Sequence, residues 1–121
     1  MEYRFYRSLS GRSPVEEFLE GLGDKQAAKA VWTFRLLQEH ERIDLAKTRY
    51  FKKLEASDGT WEIRVAFGGD IFRFLGFFDR EVFIINHAFM KKDQKTRKQD
   101  IELSKLRMYE YLFRRRSKEL S

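Results

Sequence analysis

Trp61-Glu62-Ile63-Arg64-Val65-Ala66-Phe67-Gly68-Gly69-Asp70-Ile71-Phe72-Arg73-Phe74-Leu75-Gly76-Phe77-Phe78 is the stretch that decides the fold. Its first seven residues alternate. Trp61, Ile63, Val65 and Phe67 point one way and Glu62 and Arg64 the other, the period of a half-buried strand. Gly68-Gly69-Asp70 predicts a hairpin turn. Ile71 to Phe78 then returns as a strand, apolar almost throughout except for Arg73. Asp79-Arg80-Glu81 predicts a second turn, and Val82 to Met90 a last strand, apolar until Asn86 and His87. Consecutive strands joined by tight turns run antiparallel.

Upstream, Tyr50 to Glu55 predicts a short strand. Tyr3 to Arg7 alternates aromatic and basic residues and predicts another. Ser13-Pro14-Val15-Glu16 starts a helix: Ser13 can cap it, Pro14 suits the first helical position, and Glu16 completes a capping box. Val15, Phe18, Leu19 and Leu22 recur at helical spacing, and Gly23 is a natural stop. Asp24 can cap a second helix, whose apolar face is Ala27, Ala30, Val31 and Phe34. Downstream, Thr96 and Gln99 form a capping box, so a helix should start near Arg97. It carries one stripe of Ile101, Met108 and Leu112, a second of Leu106 and Phe113, and Tyr109 between them. The expected class is α+β: an N-terminal strand, a helical hairpin, an antiparallel sheet of about four to five strands and a C-terminal helix. The hairpin should cover one sheet face and leave the other partly open.

With 121 residues the chain fits one domain, residues 1–121. Aromatic residues are 16% of it, twelve of them Phe, enough to build a core. The net charge of +6 favours polyanions as partners. With no Cys, disulfides and thiolate metal sites are excluded. His40 and His87 sit at unrelated positions and the acidic residues do not cluster, so neither a metal nor another cofactor is expected. No apolar run nears the ~20 residues of a membrane span, and the first residues lack the apolar core of a signal peptide. A cytoplasmic protein with no membrane role is the expectation.

What remains is a polar, positive sheet face. A lone Arg73 in an apolar strand must reach solvent or find a partner, because an unpaired buried charge costs several kcal/mol. A cross-strand pair with Glu62 would satisfy it. A guanidinium aimed at phosphate oxygens is the functional alternative, with Glu62 orienting it. His87, Phe89 and Lys91 share one side of the last strand. Histidine can move a proton near neutrality, an aromatic ring can stack on an unpaired base, and Lys91 and Lys92 supply charge. The bland alternatives are a hydrogen-bonded His87, a core Phe89 and a solvated lysine loop. Together these residues have the parts of a metal-free ribonuclease, which turns an RNA 2′-OH on the neighbouring phosphate.

Trp61-Glu62-Ile63-Arg64, the glycine turn, Phe72-Arg73-Phe74 and His87-Ala88-Phe89-Met90-Lys91-Lys92-Asp93-Gln94-Lys95-Thr96 resemble the phage-derived, HigB-like branch of the RelE/ParE toxin superfamily. The resemblance spans nearly the whole chain. Two positions depart from the branch: Ala88 stands where Gly is common and Arg97 where Pro is common. The resemblance implies the toxin of a type II toxin–antitoxin pair, in many members a ribosome-dependent mRNA endonuclease. It implies a helix-turn-helix antitoxin as partner, mRNA on the ribosome as substrate, and operator DNA reached only through the antitoxin. Arg73, His87, Lys91 and Lys92 would be catalytic. Arg64, Phe89, Lys95, Arg97 and Lys98 would bind RNA, and Glu62 would orient Arg73. A non-catalytic gyrase inhibitor of the same fold and a plain RNA- or protein-binding module are the alternative readings.

Overall fold

A computed structural model describes residues 1–91 and 98–120. The elements in chain order are β1 (Glu2–Phe5), α1 (Pro14–Glu20), α2 (Asp24–Glu39), α3 (Arg42–Leu45), β2 (Phe51–Lys53), β3 (Trp61–Phe67), β4 (Asp70–Asp79), β5 (Val82–Lys91) and α4 (Lys98–Leu120). The five strands form one sheet in the order β1-β5-β4-β3-β2. This is the α+β arrangement the sequence predicts, with one addition. β2 to β5 pair antiparallel, whereas β1 pairs parallel to β5, so the sheet is mixed. A parallel neighbour needs a long crossover, and α1 to β4 supply it.

The local signals act mostly as read. Ser13 Oγ accepts the Glu16 N–H at 3.3 Å, and Pro14 opens α1. Glu16 does not close the box; its carboxylate meets Arg7 at 3.1 Å. The junction of the two helices is shifted from the expectation. Gly21, not Gly23, ends α1, and Gly23 rather than Asp24 is the N-cap of α2. The reason is Gln26, whose Oε1 reaches back to accept the Gly23 N–H at 3.0 Å. The four residues of α3 lie outside the sequence reading, being too few to show a helical period. Their Arg42 lies 3.9 Å over the Phe78 ring.

The helical hairpin covers one sheet face. Phe34 of α2 meets Phe74 of β4 edge-on at 5.0 Å, and Ile63, Val65, Phe72, Phe83 and Ile85 are fully buried around them. On the other face α4 packs Met108 and Leu112 against Phe77 and Ile84. The second stripe of α4 stays in solvent, with Leu106 66%, Tyr109 48% and Phe113 72% exposed. No helix among the described residues is long and apolar enough to cross a membrane.

One irregularity sets the geometry of the second face. Leu75 pairs with His87 but Gly76 pairs with Ile85, so Asn86 is an extra residue in β5. Such a bulge reverses the alternation of side chains beyond it. Gly76 permits it: a Cβ there would lie 2.3 Å from the Ile84 carbonyl oxygen. Asn86 and His87 consequently both turn toward α4, Ala88 packs on the helical-hairpin side, and Phe89 rejoins His87.

Candidate active face on the sheet

The two-residue turn at Gly68-Gly69 fixes the register of β3 and β4. It places Arg64 opposite Arg73, and Arg73 lies opposite Phe89 on β5. The next row is Glu62, Leu75 and His87. The structure thus gathers Glu62, Arg64, Arg73, His87 and Phe89 on one face of three adjacent strands.

Arg73 is only 3% exposed and Glu62 1%. The Arg73 guanidinium donates to the Glu62 carboxylate diagonally across the strand pair, satisfying the buried charge. Burial pushes the Arg73 pKa down, Glu62 opposes that, and the like charge of Arg64 adds to it. Guanidinium remains cationic at neutral pH regardless. Arg64 is half-buried, and among the described residues it forms no ion pair. Of the two arginines it is the one presented to solvent, with Arg73 held behind it.

His87 is clasped by α4. Its Nε2 lies 2.8 Å from Asp100 Oδ1, and its Nδ1 faces an Arg107 amino group at 3.4 Å. Arginine can only donate, so Nδ1 is the acceptor and Nε2 carries the hydrogen, a tautomer inferred from these partners. Both ring nitrogens are therefore engaged. Arg107 also donates to the Asn86 carbonyl at 2.8 Å. Asn86 and Ser104 bind each other twice: the amide donates to the Ser104 carbonyl at 2.9 Å and receives the hydroxyl at 2.7 Å. Burial drives the Arg107 pKa down, against the opposing influence of Tyr6.

The sequence reading offers Phe89 as a surface for a base. In the structure the ring stacks on His87 at 5.4 Å and the residue is 9% exposed, so it backs the imidazole and is not an open platform. Lys98 opens α4 and is exposed. Lys91 ends β5, but its side chain lies outside the described residues, as do Lys92, Lys95, Arg97 and the Thr96 half of the proposed capping box. Among the described residues no three His, Asp or Glu side chains are grouped to hold a metal ion.

Asn86, Asp100, Ser104 and Arg107 are the members of this site that sequence reasoning missed. A signal existed. Asp100, Ser104 and Arg107 recur at helical spacing as a polar stripe. It answers the one polar break in an apolar strand, Asn86-His87.

A search of curated protein sequences gave no match. A family model, described as phage-derived protein Gp49-like (DUF891), matches residues 17–109, from within α1 to about the middle of α4 and including every residue of this face. That family is toxin-like, and this chain belongs to it.

Proposed function

We propose that the chain is the toxin of a toxin–antitoxin pair and that it cuts mRNA on the ribosome without a metal. The observation that carries this reading is the row Arg64–Arg73–Phe89, which sets two cations side by side on one sheet face, Arg64 toward solvent and Arg73 behind it, with the basic stretch 91–98 following β5 in sequence. In such a reaction the 2′-oxygen attacks phosphorus and the bond to the 5′-oxygen breaks. One proton leaves the 2′-OH and another reaches the departing 5′-oxygen. The products are a 2′,3′-cyclic phosphate and a 5′-hydroxyl. Cations stabilise the charge that builds on the phosphoryl oxygens. We assign that role to Arg64 at the phosphate and to Arg73 behind it, with Glu62 orienting Arg73. Proton transfer falls to Lys91 and Lys92. His87, with both nitrogens engaged, holds the end of β5 against α4, so its role in this scheme is support. Lys95, Arg97 and Lys98 supply charge for the RNA backbone.

The partner in this reading is a helix-turn-helix antitoxin, through which alone operator DNA would be reached. The exposed stripe of Leu106, Tyr109 and Phe113 is the surface we assign to it.

Expression without a partner should stop growth and leave translated transcripts with 2′,3′-cyclic phosphate ends, read by sequencing RNA ends after a short pulse. Intact transcripts with damaged DNA would favour a gyrase inhibitor. Intact transcripts and intact DNA would leave only a binding module.

A further inference from the structure

A cavity of about 300 Å³ opens at the β3 edge of the sheet, between α2 and the chain entering β2. Three cations, Lys29, Arg49 and Arg64, line it together with Tyr50 and Ala66. Elsewhere Arg4, Arg7, Arg12, Arg73 and Arg80 each hold a carboxylate. Among the described residues none of the three cavity cations forms an ion pair, though the chain has nineteen acidic residues. Like charges converging without counter-charge raise the energy of the fold, and a bound anion relieves that.

The backbone adds a donor. The Arg64 N–H is taken by the Tyr50 carbonyl at 2.9 Å, while β2 pairs with β3 only from Trp61 to Ile63. Alternation along the strand turns the next edge N–H, that of Ala66, outward where β2 no longer reaches. Two exposed aromatic side chains stand beside the cations: Tyr50, 38% exposed, and Trp32, 51% exposed with Lys29 Nζ 4.3 Å above its ring. Cations interleaved with open aromatic rings suit single-stranded nucleic acid better than an acidic peptide, because every base has a face to stack. Arg64 belongs to both places, lying opposite Arg73 on the sheet and lining the cavity.

We propose that this cavity is a second phosphate-binding subsite for single-stranded RNA, joined through Arg64 to the face where the chain is cut. The proposal rests on the RNA-cleaving reading above, and the test separates the two. The probe is a fluorescent, fully 2′-O-methylated RNA oligonucleotide, which binds but offers no 2′-OH nucleophile. The full chain and its Lys29→Gln/Arg49→Gln variant are titrated by anisotropy at several salt concentrations, with thermal melting to show that both are folded. The variant should bind about tenfold more weakly, and its salt slope should fall by about 1.4, the loss of two single-strand phosphate contacts. Tyr50→Ala should weaken the oligonucleotide but not inorganic polyphosphate, which has no base to stack. Equal RNA affinity of parent and double variant overturns the subsite, including the case where binding of an acidic antitoxin is lost instead. A parent that binds the oligonucleotide but leaves translated mRNA uncut overturns the nuclease reading, while the ratio of the two affinities still decides the subsite.

Discussion

Glu62 and Arg73 stand on a physical necessity that residue types alone expose. An arginine inside an apolar strand must find a counter-charge, and the neighbouring strand holds a carboxylate on the same face. The pairing is therefore legible in the sequence itself. Its diagonal geometry is latent there as well, since a two-residue turn at Gly68-Gly69 forces Arg64 opposite Arg73. Removing one partner takes the buried ion pair from the other in a site 1–3% exposed. Arg73→Ala should accordingly cost about 3–5 kcal/mol in denaturant unfolding. A loss of cleavage in that variant would not by itself identify a phosphate contact. Glu62→Gln/Arg73→Gln, which keeps a hydrogen-bonded neutral pair, should recover much of the stability but not the cleavage. An unchanged midpoint for Arg73→Ala would show that the pair is not what holds these strands. His87 is not legible in the same way. Its two nitrogens are filled by Asp100 and Arg107, and the polar stripe that carries them does not say by itself which strand residue each will meet.

Among the elements, the strands and the long helices follow from periodicity, and both stripes of α4 are readable. One stripe is buried on Phe77 and Ile84 and the other is exposed. The bulge in β5 is not readable, because Gly76 gives no sign in sequence that it lies against another strand's carbonyl. It nevertheless decides which way Asn86 and His87 face. Gly76→Ala forces a methyl to within 2.3 Å of backbone that cannot swing aside. We expect a loss of about 3 kcal/mol or more, at the upper end of overpacking costs. The imidazole of His87 should lose its protected environment in NMR spectra. A variant with parental stability and an unchanged His87 signal would mean that the bulge can move along the strand.

For the whole molecule the termini of the fold are tied together by charge. Tyr6, just after β1, donates to Glu110 of α4 at 2.6 Å, and Arg114 donates to Glu110 and, at 2.6 Å, to the Arg7 carbonyl. Burial alone would raise the Glu110 pKa, but the hydrogen bonds from Arg114 and Tyr6 outweigh it and hold the group below its ordinary value of 4.5. A carboxyl depressed in the folded state adds stability above its unfolded pKa, and that stability is lost as the pH falls through the folded value. The melting temperature should therefore drop on acidification below pH 4.5, and Glu110→Gln should flatten that part of the profile. A variant whose acid limb matches the parent would remove Glu110 from the account. No pattern near Tyr6 announces this tie, since its partners lie about a hundred positions away.

The parallel pairing of β1 with β5 also orders events during synthesis. β1 waits for Val82 to Ile85 before it has a neighbour, and α4 follows later still. A nascent chain can zip its antiparallel strands soon after they leave the exit tunnel. Asp100 and Ser104 can clasp His87 and Asn86 only once α4 has emerged. The face that α4 completes is therefore assembled only after every strand of the sheet has been made.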